Sequence, residues 1–319
     1  MTTFLLRRIA GALPLLLTIT VISYAMMGLA PGGPTALMTH EARAMSPAAR
    51  QHLLATLGLD KPWYVQYFYW LNALVVHGSL GYSYVDNRPV VAKILEKLPV
   101  TIELIGLSLI VTLLIAIPIG VTAARYRNSL FDHFSSVLSF AAYGIPVFWL
   151  GIVLIDVFSL HLRWLPAAGI SSLGHEHDPI DNLRHMVLPV ATLSFVSLAS
   201  WIRYQRGAML NVLAEPYIRT ARSKGLSERV VIYRHALRNA LMPTITLLGL
   251  SLPSLVGGAY FLEYVFSLPG MGYLGINSVF TRDYPTVMGI TLLSAILVVA
   301  GNLIADLGYA VIDPRVRYE

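Results

Sequence analysis

Histidines and carboxylates crowd one short stretch of this chain: His175, Glu176, His177, Asp178, Asp181 and His185. Imidazole and carboxylate are donors that suit zinc or nickel. Their spacing is not the helical His-Glu-x-x-His pattern, which puts two imidazoles on one helix face. An ordinary polar loop accounts for the same residues, and no metal is assigned. The chain has no cysteine, which removes thiolate nucleophiles, thiolate metal sites, disulfides and iron–sulfur clusters. The histidines fall mostly in loops or near the ends of apolar runs, so no nucleophile stands with a base inside them. A phosphate-binding loop needs a glycine-rich turn followed by Lys and then Ser or Thr. The four lysines, Lys61, Lys93, Lys97 and Lys224, are followed by Pro, Ile, Leu and Gly. No cofactor is therefore expected in this chain, and any ATP it depends on must be hydrolysed by another. Asp156, Asn302 and Asp306 lie in or near apolar runs, where such groups line a pathway, pair inside a bundle or reach interfacial water.

The elements that must position these residues are membrane helices. Hydrophobic residues make up 56% of the 319 and charged ones 13%, against the roughly 25% charge of a soluble domain. A bilayer span takes about 20 apolar residues. Runs of that kind occupy 9–29, 101–124, 135–160, 186–202, 241–262 and 286–311, giving six spans in an all-α polytopic protein. The first run follows Arg7 and Arg8, is too long for the apolar core of a signal peptide and leads into Pro31-Gly32-Gly33-Pro34, so it is read as an uncleaved anchor. Pro14, Pro118, Pro146, Pro189 and Pro253 are expected to kink their helices, and Gly257-Gly258 to allow a close helix approach.

Residues 62–76 are too short and too aromatic for a span, and suit the membrane–water interface. A short helix is expected before them, from Ser46-Pro47 through Leu53, Leu54 and Leu57 to Gly58. Residues 30–98 thus form an external region with interfacial helices. Counting charges supports this choice. The loop 203–238 carries eight basic residues in 36 positions, Arg203, Arg206, Arg219, Arg222, Lys224, Arg229, Arg234 and Arg238. The positive-inside rule puts it in the cytoplasm together with Arg7, Arg8, Arg125, Arg127, Arg315 and Arg317. Six spans with both termini cytoplasmic satisfy all of these. The formal charge of +6 is thereby used in topology, and no nucleic-acid partner is expected.

Within the basic loop, Glu215-Pro216 opens a helix that stops at Gly225, and Ser227 starts another over Glu228 to Asn239. A helix–glycine–helix elbow is a device for meeting a partner, although a solvated basic face has the same composition.

The stretch Tyr217-Ile218-Arg219-Thr220-Ala221-Arg222-Ser223-Lys224-Gly225-Leu226, with His235-Ala236-Leu237-Arg238-Asn239-Ala240, resembles the cytoplasmic "EAA" loop of type I ABC importer permeases, in their dipeptide/oligopeptide/nickel branch. Leu57 to Pro62, Leu268-Pro269-Gly270-Met271-Gly272, Arg282-Asp283-Tyr284-Pro285 and Asp313-Pro314-Arg315-Val316-Arg317 are similar to further phrases of that branch. The resemblance covers essentially the whole chain and implies the type I importer transmembrane fold in a bacterial inner membrane. It implies that Glu215 to Lys224 form a coupling helix seated on an ATPase, with Glu215, Arg219, Thr220, Ala221, Arg222, Lys224 and Gly225 as the coupling residues. Arg219 stands where the broad motif has glutamate and Thr220 where it has alanine; Glu215 is not a substitute for that acid. Expected partners are a second homologous permease, one or two nucleotide-binding ATPase subunits that hold ATP and Mg, an external substrate-binding protein docking on 30–98 and 263–285, and membrane lipid. Expected cargo is peptide, with glutathione or a nickel chelate as alternatives of the same class and a self-sufficient secondary transporter as the rival class. That rival would show inverted halves, and none are evident.

Overall fold

A computed structural model of the chain describes residues 2–29, 46, 48, 60–176 and 178–312. The short helix expected after Ser46, the turn at Pro31–Pro34, His177 and the motif from Asp313 onward fall outside the described residues or largely so, as do the side chains of Pro253, Gly257, Gly258 and Asp306. The described chain is helical, with no strand and one isolated bridge between Tyr82 and Pro89. It divides into two compact units.

The first unit comprises residues 1–99 and 270–299. It holds α1 (Thr2–Leu29), α2 (Trp63–His77), the start of α3 (Val90–Arg125), α10 (Met271–Phe280) and most of α11 (Tyr284–Ile312). α2 is the aromatic segment. Tyr67 and Trp70, three residues apart on one face, are buried with Tyr24 of α1 and Met288 of α11, while Tyr64, Phe68 and Tyr69 face outward. α1 and α2 touch closely, since a Cβ on Gly28 would stand 2.8 Å from Trp63 Cβ. Gly78 ends α2 at φ +61°, where its amide and that of Ser79 cap the carbonyls of Leu74 and Ala73.

The second unit comprises residues 100–269 and 300–319. After α3 come α4 (Leu130–Gly144), α5 (Val147–Leu154) running into a π-helical turn Ile155–His161, α6 (Pro179–Leu213) and α7 (Pro216–Ser223). α8 (Glu228–Val230) then continues without a break through a second π-helical turn, Val231–Ala236, into α9 (Leu237–Val265). One core gathers Leu104, Met186, Leu193, Leu262 and Phe266, and another gathers Ala116, Trp201 and Ile202. α3 and α6 approach at Gly120, where a Cβ would come within 2.8 Å of Gln205 Cβ; Gln205 in turn accepts from Thr244 of α9 at 2.7 Å.

Helices α1, α3, α6 and α11 contain stretches long and apolar enough to cross a membrane. The run expected over 135–160 is not one rod: Leu130–Gly144 and Val147–His161 meet at 99°. Proline disfavours helical backbone in the residue before it, and Ile145 accordingly turns extended at φ −88°, ψ 122° ahead of Pro146. α9 covers the run 241–262. α3 and α6 have 36 and 35 residues, which at 1.5 Å per residue is about 50 Å each, well beyond a hydrocarbon core of about 30 Å. The expected loop 203–238 is therefore helical through Leu213.

Candidate functional site

The elbow that follows α6 is assembled from local signals. Glu215 is extended at the N-cap, Pro216 occupies the first helical position, where its missing amide costs nothing, and Gly225 ends the turn at φ +76°. An eight-residue helix is not stable alone. α7 is held because Ile218 and Ala221, three apart, are buried against Val121 and Ala124 of α3, Met209 of α6, and Val231, Ile232 and Ala236. Burying one isoleucine stabilises by roughly 2 kcal/mol. The π turn serves the same core. Its widened i→i+5 pattern brings residues five apart onto one side, so that Val231, Ile232 and Ala236 are all buried.

Two polar struts complete the fixing. The Arg222 guanidinium donates from Nε and Nη2 to both oxygens of Glu228, at 3.2 and 2.7 Å, across the Gly225 turn. At the other end of α7, Asn239 Nδ2 donates to Tyr217 Oη at 2.7 Å. The Arg222 hydrogen bonds hold the Glu228 carboxyl below its ordinary range. Of the expected coupling residues, Glu215, Arg219, Thr220, Arg222, Lys224 and Gly225 are exposed and Ala221 faces the core. Arg219 has no carboxylate partner among the described residues, whereas Arg222 is already engaged by Glu228. Across 215–238, six basic side chains stand against two acids, and all six are exposed.

Three further polar clusters were not anticipated. In the first unit Asp283, 1% exposed, accepts from Ser83 Oγ at 2.6 Å, the Tyr84 amide at 2.9 Å and Thr286 Oγ1 at 2.6 Å. Lys93 Nζ lies 3.5 Å from Asp283, 3.0 Å from Asp86 and 2.9 Å from Ser83 Oγ. Burial would lift the Asp86 carboxyl, but hydrogen bonds from Lys93, Ser83 and the Arg88 amide outweigh it and hold it low. Burial, with the nearby Asp283 charge and Tyr284 adding, pushes the Tyr84 phenol up to about 12. In the second unit Arg206 of α6 grips both oxygens of Asp132 on α4, with Nη2 to Oδ2 at 2.7 Å. Glu263, fully buried, accepts from Thr101 at 2.6 Å.

The His/acid loop has structural work. Asp178 caps α6 through the Ile180 amide, Asp181 accepts from the Ser172 amide and hydroxyl, and Glu176 accepts from the Gly174 amide. Among the described residues no group of three such side chains is placed to hold a metal. Asp156 is exposed beside His161, at 3.5 Å, and Asn302 is exposed.

Long apolar helices joined by a basic, glycine-terminated elbow define a multi-pass membrane protein. The comparisons give it a family. Residues 116–318 match the family of binding-protein-dependent transport system inner membrane components, and residues 1–105 the N-terminal family of the same membrane components. The chain belongs to this family, the bacterial inner-membrane permeases of ABC importers. It is 43% identical over 319 residues to the oligopeptide transport system permease protein AppB of Bacillus subtilis, with 100% of each chain covered. It is 38% identical over 340 aligned positions to the dipeptide transport system permease protein DppB of Escherichia coli K12, again with 100% of each covered, and 39% identical over 318 residues, 99% of each, to a putative peptide permease protein of Brucella suis.

Proposed function

We propose that this chain forms half of a membrane pathway for peptides and that α7 is the helix through which ATP hydrolysis in separate subunits drives it. The observation that carries this reading is the elbow: a short helix, glycine-terminated, packed on one face and exposing Arg219, Thr220 and Lys224 on the other. That exposed basic face suits a groove lined with acids on an ATPase subunit, which would hold ATP and Mg. The full-length likeness to permeases named for oligopeptide and dipeptide transport supports the cargo class. The six apolar runs are six spans with both termini cytoplasmic, and a second homologous permease completes the pore.

The mechanism is alternating access. An external binding protein delivers peptide to the outward-facing state, and closure of two ATPase subunits moves α7. Because α7 is tied to α8–α9 by Ile218, Arg222 and Tyr217, its displacement is passed to a continuous helix entering the membrane. Ligands shift such an equilibrium only through their different affinities for its two states, so binding protein and ATP must each prefer one of them. The test is purification from native membranes in mild detergent, with co-purifying chains identified and ATPase activity measured with and without di- and oligopeptides plus binding protein. Recovery of a second permease and ATPases, with hydrolysis raised by loaded binding protein, is expected. A solitary chain that moves peptide into liposomes without ATP would establish a secondary transporter instead.

A further inference from the structure

A cavity of about 200 Å³ opens between α4 and α6. It is lined by Ser136, Ser139, Phe140 and Tyr143 of α4 and, from α6, by Arg203 and Arg206 among others. Asp132, near the start of α4, meets Arg206, near the end of α6, so Ser136 stands one helical turn from that pair and Phe140 and Tyr143 about two and three turns along α4. From Ser136 to Tyr143 the cavity thus runs along about 10 Å of helix, from cations and a hydroxyl into aromatic surface. Phe140 and Tyr143 are among the exposed large side chains.

Charge accounting makes the site incomplete as it stands. Asp132 takes two of the five N–H donors of Arg206 and balances its charge. Arg203, exposed and directly past the apolar run 186–202, has no carboxylate partner among the described residues. A guanidinium bordering a membrane run gains most from an anionic partner, and beside the two arginines that line this cavity Asp132 is the one carboxylate, already held by Arg206. We propose that the missing anion is the phosphate of an acidic phospholipid from the leaflet on the α7 side, gripped by Arg203 with the spare donors of Arg206 and the Ser136 hydroxyl, its acyl chain lying along Phe140 and Tyr143. Guanidinium and phosphate match as bidentate partners, and basic pockets between membrane helices on the cytoplasmic side are where acidic headgroups bind. A zwitterionic peptide fits less well: its ammonium group would find only Asp132, already occupied. The site is independent of which cargo is carried.

The experiment uses the assembled transporter, stripped of lipid in detergent and titrated with phosphatidylglycerol, phosphatidylcholine or inorganic phosphate, read by thermal shift and by retained lipid in native mass spectrometry. Phosphatidylglycerol should stabilise and be retained, and the other two should not. Arg203→Gln should weaken phosphatidylglycerol about tenfold, the scale of one charge-assisted contact, while Arg203→Lys keeps most of the affinity. Ser136→Phe should fill the cavity and abolish retention. Equal binding of phosphatidylcholine, full competition by inorganic phosphate, displacement by cargo peptide, or unchanged lipid retention in Arg203→Gln would each overturn the proposal, the third by making the cavity part of the peptide pathway.

Discussion

Gly225 offers the sharpest perturbation, because its two possible roles separate cleanly. It sits at φ +76°, and nothing lies within 4 Å of where a Cβ would stand. A side chain placed there strikes no neighbour in this chain, so the intrinsic cost of Gly225→Ala is that of a left-handed backbone, about 1–2 kcal/mol. The loss of glycine's freedom in the unfolded chain returns about 0.4–1 kcal/mol, leaving about 1 kcal/mol, or roughly a fivefold fall in occupancy of the native turn. Asparagine tolerates the left-handed region and should lose little, whereas a β-branched valine should lose most. Coupling, measured in proteoliposomes as peptide taken up per ATP hydrolysed, should therefore fall in the order Gly, Asn, Ala, Val, with hydrolysis persisting as uptake fails. Gly225→Glu, which adds bulk and charge to the face offered to the ATPase, should uncouple at least as far as valine. Alanine and valine variants coupling like wild type would refute the role of the turn. Asparagine failing as badly as valine would show that bulk at the partner surface matters and the backbone does not, and normal uptake by Gly225→Glu would count heavily against α7 as the coupling helix.

The Arg222–Glu228 strut is about half exposed at both ends, so its worth is below about 1 kcal/mol after solvent screening; charge reversal at either residue should loosen α7, and reversal of both should restore it. Because Glu228 is held below its ordinary range, the strut's contribution is full above that range and lost as pH falls through the lowered value. The absence of native cysteine lets spin labels at introduced Thr220→Cys and Arg229→Cys report both effects as a broadened distance distribution in acid, and an unchanged distribution would remove the strut from the account. Asp283→Ala should cost about 3 kcal/mol, at the low end for breaking a buried ion pair because Lys93 keeps Asp86; a thermal midpoint within a degree of wild type would contradict it. Ile218→Ala should cost about 2–4 kcal/mol, seen as faster amide exchange across α7, while Thr220→Ala on the outer face should leave exchange unchanged.

What could be read in advance was whatever leaves a local or periodic signature. Among the described residues the apolar runs fall on every long helix, and Glu215-Pro216 and Gly225 placed α7 to within a residue of Pro216–Ser223. Helices that leave the membrane and go on with polar residues carry no such mark, which is why Arg203 and Arg206 read as loop although α6 extends to Leu213. Pro146 read as a kink, and only the extended backbone of Ile145 turns it into a break. The widened turn at Val231–Ala236 mimics neither helical nor strand spacing. Pairings such as Asp132–Arg206 and Ser83–Asp283 join residues 74 and 200 positions apart, and a single sequence holds nothing that matches one partner to the other.

The π turn between α8 and α9 leaves the elbow with an adjustable phase. Each residue of an α-helix advances its face by about 100°, so losing one residue from an ordinary helix would swing everything before it away from its packing partners. At Val231–Ala236 the extra residue is already accommodated in the backbone. Deleting one there closes the turn to α geometry, leaving the faces of α7 and α9 near their present alignment. The linker between the glycine turn and the membrane thus has two workable lengths, and the longer of them is the one this chain uses.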